Sequence, residues 1–252
     1  MLRIASPPGQ YGIRTAGAAT VRYARRMRYG QFCSIARALD LLGERWTLLI
    51  VRELLCGSSR FNDLQRGVPR ISRTMLSLRL RALVDAGVIT RHASASGPDY
   101  HLTAAGAELA PVVEQLGVWG HRHLPRRLSH DELDPAPLLW DMRRRVRHDA
   151  LPEQPIVVRI ELTDRRLRRY LLLRRTEVSL CSENPGFLET LVVKTRTSVL
   201  AAWWRGDIDY PRARRDGLTV DGPAALARAF PGWFDRYALA DVPPAPAIRP
   251  RS

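Results

Sequence analysis

The chain has 252 residues, with 40 Lys+Arg against 25 Asp+Glu and a formal net charge of +15. Its length suits two domains of ordinary size, and 45% hydrophobic residues are enough for a real core. No run approaches the roughly 18 uninterrupted apolar residues of a membrane span, and the basic N-terminus lacks the apolar segment of a secretory signal.

Residues 1–28 hold arginines at 3, 14, 22, 25, 26 and 28, no acid and no helical stripe. This reads as a disordered basic tail, or as sequence ahead of a true start at Met27. Residues 33–43 predict a helix with Ile35, Leu39 and Leu42 on one face. Trp46 to Leu55 predicts a second helix, apolar nearly all round and therefore buried.

Arg60 to His92 is the centre of the reading. A short helix carries Phe61 and Leu64 on one face and is broken by Gly67 and Pro69. Ser72 is an N-cap candidate for the next helix, and Leu76, Leu80 and Leu83 recur as its buried stripe before Gly87 ends it. The opposite face of that helix carries Arg73, Thr74, Ser77, Leu78 and Arg81. Between 60 and 82 there are six arginines (60, 66, 70, 73, 79 and 81) and one acid, Asp63. Double-stranded DNA is the counter-charge such a face fits, with side chains suited to base edges or phosphates. Charge and periodicity alone also fit an ordinary amphipathic helix hairpin. Val88–Ala93 and Tyr100–Thr103 predict a two-stranded wing around the turn SASGPD. Arg91 and His92 lie where they reach phosphate or the minor groove, or simply water.

Thr103 caps a predicted helix to about His123, bent early by Pro111, with Leu109, Val112, Leu116 and Trp119 as a coiled-coil-like seam. Residues 125–137 read as a proline-rich linker. Leu138, Leu139, Met142 and Val146 then give a helix. Ile156–Leu162 alternates as a half-buried strand, followed by strands at 167–173, 177–181 and 187–193. A helix at 195–204, a short strand at 217–220 and a helix at 223–230 close the pattern. Consecutive strands flanked by helices predict an α+β domain, with a mainly antiparallel sheet, at 138–240 and a disordered tail at 241–252.

Residues 33–103 resemble the HxlR-type winged helix-turn-helix regulators in three phrases: CSIARALDLLGERWTLLIVREL (33–54), RFNDLQRGVPRISRTMLSLRLRALVDAGVI (60–89) and YHLTAAG (100–106). The resemblance implies a winged helix-turn-helix domain at 29–124, paired as a homodimer through 33–43 and 104–123 and reading a pseudo-palindrome. It departs at Leu78, where the family has a polar residue. On this reading the DNA contacts are Arg60, Arg70, Ser72, Arg73, Thr74, Ser77, Leu78, Arg81, Arg91 and His92. Cys33, Cys56 and Cys181 form no even framework, which points to a reducing cytoplasm, and DNA binding there would make the protein nucleoid-associated. Cys33 opens the first helix, where a thiol's pKa can be lowered and where some members of the family sense oxidants; a semi-buried structural cysteine fits the same position.

VSLCSENPG (178–186), SVLAAWWRGDID (198–209) and RDGLTVDGPAALARAFPGWF (215–234) resemble the sterol-carrier-protein-type (SCP-2-like) domain. That implies an apolar cavity for a lipophilic small molecule, with Trp203, Trp204, Phe230, Trp233 and Phe234 as core or cavity wall. No catalytic signature occurs (HExxH, P-loop, glycine-rich dinucleotide turn or GxSxG), and Cys33, Cys56 and Cys181 have no metal-ligand spacing. The sequence thus predicts a regulator without cofactor, metal or catalysis. Two other readings stay open: a lipid carrier whose first domain only dimerises, and a redox-responsive regulator acting through Cys33.

Overall fold

The computed structural model describes residues 28–95, 97–243 and 245. The expected basic tail before Arg28, and residues 246–252 of the expected C-terminal tail, lie outside them. Ser34–Leu42 forms α1, with Ile35 and Leu39 exposed. From Leu41 onward the described residues form one compact unit.

Its first part is a winged helix. Thr47–Leu55 forms α2, which buries Ile50, Val51 and Leu54. Trp46, expected as the first helical residue, instead caps α2 in a left-handed conformation, φ 81°. The Arg45 guanidinium lies 4.6 Å from the Trp46 ring centroid. Phe61–Gly67 forms α3 and Arg73–Asp85 forms α4. The predicted cap is made: Ser72 Oγ accepts the Met75 N–H at 3.2 Å. Gly87 turns the chain out of α4 at φ 70°, a conformation glycine adopts without a Cβ clash. Leu76, Leu80 and Leu83 are buried, as their spacing predicts. They meet Ile50, Val51, Leu64 and Ile89 in an aliphatic core.

β1 (Ile89–His92) and β2 (Asp99–Leu102) pair antiparallel as the wing. Its base is tied to the segment before α3, where Tyr100 N–H donates to the Ser59 carbonyl at 2.9 Å. The helix expected over 104–123 is two: α5 (Ala104–Ala107) and α6 (Ala110–His123). The break falls just before Pro111, which can only sit in the first turn of a new helix.

In the second part Asp134 caps α7 (Pro135–Arg144). β3 (Ile156–Leu162), β4 (Leu167–Leu173) and β5 (Val178–Cys181) form an antiparallel meander. The chain then crosses to β6 (Leu191–Thr195), which runs parallel to β3. α8 (Thr197–Trp204) and α9 (Tyr210–Arg215) lead to β7 (Thr219–Asp221), antiparallel to β6, and α10 (Ala224–Ala229) follows. The order is β5-β4-β3-β6-β7, so β3 is central. This is an α+β sheet, mostly antiparallel.

Further expectations change. The strand predicted at 187–193 starts only at Leu191, and Phe187 and Leu188 are exposed, because the crossover to β6 consumes those residues. β3 is more than half-buried, since Val157 on its second face is covered as well as the inward Ile156, Val158, Ile160 and Leu162. The segment expected as a free linker is packed down. Arg126 pairs with Asp207 at 2.8 Å, and Arg70 donates to the Asp131 carbonyl at 2.7 Å. Part of the expected tail is held as well: Ala245 N–H donates to the Arg122 carbonyl.

The space between sheet and helices is filled by aromatic rings. Trp203, Trp204, Phe230, Trp233 and Phe234 meet at centroid distances of 5.3 to 6.2 Å, mostly edge to face. Exposure of 2% or less for Trp203, Trp204, Phe230 and Trp233 makes them core.

Candidate nucleic-acid interface

α4 is held from below and behind. Its apolar stripe fixes its rotation, and Ser72 fixes its start. Arg79 fixes its depth: Nη2 pairs with Glu44 Oε2 at 2.6 Å and Nε donates to the Arg45 carbonyl at 3.2 Å. Arg79 is therefore a structural clamp to the turn before α2, although it was counted in the cationic face.

The face left over is Arg73, Thr74, Leu78 and Arg81, all exposed, with Ser77 half-buried. The guanidinium groups of Arg81 and Arg91 have no hydrogen-bond or ion-pair partner among the described residues. Arg73 is parked on α3: Nη1 donates to Asn62 Oδ1 at 3.2 Å and Gln65 Oε1 at 3.0 Å, and its guanidinium lies 4.8 Å from the Phe61 ring centroid. These partners are neutral, so its charge stays uncompensated while its direction is set. Leu78 is 38% exposed, an apolar spot among cations.

The remaining predicted residues spread around this face. Arg60 stands at the residue before α3 without a side-chain cap, and its Nε lies 3.7 Å from Asp99 at the wing base. Arg70 is turned toward Asp131. Ser72 is exposed, with its hydroxyl engaged in the cap. His92 Nε2 lies 2.9 Å from Thr90 Oγ1, and its ring meets that of His101 on the other wing strand at 5.5 Å.

Under this surface lies a charge no periodicity argument picks out. Glu53, in the last turn of α2, is fully buried. Its carboxylate accepts from Arg52 Nη2 at 2.7 Å and from Arg144 Nη1 of α7 at 2.8 Å. Arg144 also pairs with Asp141, which in turn accepts the Trp204 indole N–H at 2.8 Å. Burial pulls the Arg144 pKa down, but Glu53 and Asp141 outweigh it and hold the guanidinium charged. Gly67 is required beside this cluster: a Cβ there would collide with the Glu53 carboxylate. One ionic chain thus runs from the second helix of the winged part to the aromatic core behind the sheet.

Cys33, at the start of α1, has its thiol pKa lowered by the backbone N–H groups of Ala36 and Ile35. Among the described residues no group of three or more His, Cys, Asp or Glu is arranged to hold a metal ion, and no helix is long and apolar enough to cross a membrane.

Residues 41–128 match the family model described as HxlR-like helix-turn-helix. An uncharacterized HTH-type transcriptional regulator, YvaP of Bacillus subtilis, is 36% identical over 97 residues, which are 37% of this chain and 90% of that protein. The chain belongs to the HxlR-like helix-turn-helix family of transcriptional regulators. A second relative, an uncharacterized HTH-type transcriptional regulator of Mycobacterium tuberculosis, is 47% identical over 96 residues, again 37% of this chain; the match spans 60% of that relative's length. Among solved structures, PA1607, a putative transcription factor, is 34% identical, with a TM-score of 0.36 over 40% of this chain and 72% of its own. All three matches cover well under half of this chain.

The residues missed from the sequence are Asn62 and Gln65, which aim Arg73, and Glu53, which ties the two parts. Asn62 and Gln65 sit three apart on one helix face, which was a usable signal. Glu53 carried none, since a lone acid in an apolar helix gives no hint of partners 91 residues away.

Proposed function

We propose that this protein binds double-stranded DNA as a two-fold dimer and regulates transcription. The observation that carries the reading is the open face of α4: Arg73, Thr74, Leu78 and Arg81 exposed, with no carboxylate paired to Arg73 or Arg81 among the described residues. A helix so rotated and capped suits insertion in a major groove, with Arg73 and Arg81 reaching base edges or phosphates and Leu78 meeting a thymine methyl. Arg91 and His92 of the wing, with Arg60 and Arg70, supply flanking phosphate contacts, and Ser72, Thr74 and Ser77 shorter polar ones.

The dimer is supported by α6, where Val112, Leu116 and Trp119 are 50%, 53% and 55% exposed along one stripe. Such a stripe is normally covered. Ile35 and Leu39 of α1 form a second exposed apolar pair. The SCP-2-like reading of the sheet part rests on its three sequence phrases alone, since packed aromatic rings occupy the space where that resemblance implies a cavity; the setting proposed is a cytoplasmic, nucleoid-associated regulator that does no catalysis. Lowering of the Cys33 thiol pKa favours a second input, oxidation of that thiol.

The test is fluorescence anisotropy with the duplex upstream of the protein's own gene and a scrambled duplex of equal length. Preference for the first, lost in Arg73→Ala, supports a base-reading regulator. Equal binding of both, or none, would leave the lipid-carrier reading instead. Light scattering reports the dimer, and Trp119→Asp is expected to yield monomers.

A further inference from the structure

A groove of about 780 Å³ lies between α3 and the edge of the sheet part. Its α3 wall carries Asn62, Gln65 and Arg66. Its opposite wall is built from α7 and the neighbouring strands, chiefly Trp140, Leu167, Arg169 and Leu180. That volume is in the range of small-molecule sites. We propose that this groove is an effector site for a small carboxylic acid with an apolar body, and that occupancy is transmitted to Arg73.

Three observations carry it. First, Arg169 stands in the core-facing register of β4. It pairs with Ile160 across the sheet and alternates with Leu167, Leu171 and Leu173, all apolar. A cation there breaks the strand's apolar pattern. It donates only to the Arg168 carbonyl, at 2.8 Å, and has no carboxylate partner among the described residues. Second, the groove's other charges leave room for an anion. Arg66 adds a second cation, 5.5 Å from the Trp140 ring centroid and paired with Asp63. Asp134, the one acid in the lining, is engaged by the Ala136 N–H at the start of α7. Third, Trp140 is 5% exposed, and its indole N–H is buried without an acceptor. A small ring rotation would present that donor to a seated carboxylate.

The apolar walls, Leu167, Leu180, Pro69 and the Trp140 ring, would take the body of the ligand. Asn62 and Gln65 line the same groove and hold Arg73. A ligand polar group that recruits either amide competes directly with the hydrogen bonds that aim this arginine. The signal therefore needs no domain rotation: it travels through two side chains. The transmission step rests on the DNA-binding reading above, whereas the site itself does not.

The full-length protein is titrated calorimetrically with 2-naphthoate, indole-3-acetate and decanoate, with 2-naphthalenemethanol as the neutral counterpart. Saturable binding of at least one carboxylate is expected, one per chain and roughly tenfold tighter than the alcohol. Arg169→Ala should erase that preference, and Ala136→Glu, at an exposed position in the lining, should abolish binding. A readout without any variant is alkylation of Cys181, another lining residue: saturating carboxylate should slow it and leave Cys56 unchanged. No binding by any of the three acids, equal affinity for the alcohol, or unprotected Cys181 overturns the site. Anisotropy with and without the bound acid then tests transmission. A bound acid that leaves DNA affinity unchanged overturns the link to Arg73, whereas failure to bind DNA at all overturns the regulator and spares the site.

Discussion

The outer face of the sheet and the outer face of α4 are both rich in arginine, and they are wired in opposite ways. On the sheet, Arg159 pairs with Glu161 at 3.2 Å and Glu189 at 2.9 Å, and Arg168 pairs with Glu161 at 3.1 Å. On α4, Arg81 has no partner among the described residues and Arg73 has only neutral ones. The total charge of +15 therefore says little about where a polyanion docks. On the DNA-binding reading proposed above, the docking face is set apart by outward guanidinium groups that the fold leaves without a carboxylate.

The largest effect is expected at the buried Glu53–Arg144 pair. Arg144→Ala leaves Glu53 short of its partner in the interior, and should cost about 3–5 kcal/mol in urea unfolding. A loss below about 1 kcal/mol would show that Arg52 and water suffice, and that pairing there is incidental. The next test sets the two faces against each other. Arg81→Ala should weaken binding to the preferred duplex by about 1–3 kcal/mol, and Arg168→Ala should leave it unchanged. Equal losses would mean that charge alone, wherever it lies, drives binding.

How far these features were legible follows the range of the interactions. The cap at Ser72, the stripe Leu76-Leu80-Leu83, and the bounds of β3 and β4 are local patterns, and the sequence carried them. The left-handed Trp46 was not legible, because a large aromatic at positive φ is held by neighbours rather than by its own preference. Nor was the β3–β6 parallel pair, which joins strands separated by a crossover. In the candidate site, the outward face of α4 could be read from the helical period. The sorting of its arginines into clamp (Arg79), aimed (Arg73) and open (Arg81) depended on Glu44, Asn62 and Gln65, which periodicity does not connect.

Smaller effects sharpen the contrast further. Ser72→Ala removes the cap on α4 and should lower stability by about 1 kcal/mol in the same urea measurement, with little change in the sheet part. The smallest is a pH effect. His121, on α6, is buried near Arg126 and Arg205, and its pKa is lowered by desolvation first and then by those two cations, against Asp207. Its contribution is whole above the unfolded value of about 6.5 and is lost as pH falls through the lower folded value. The melting temperature should therefore drop on acidification below that point, and less so in His121→Gln. An unchanged slope in the variant would assign the acid sensitivity elsewhere.

The salt bridge between Glu53 and Arg144 also has a history within each molecule's synthesis. The two residues are 91 positions apart. At about 5–20 residues per second, a ribosome delivers Arg144 roughly 5–20 s after Glu53. Through that interval the only partners at hand for Glu53 are Arg52 and Ser58, whose hydroxyl donates to Glu53 Oε2 at 3.5 Å, and the helix that closes this spot has yet to be made.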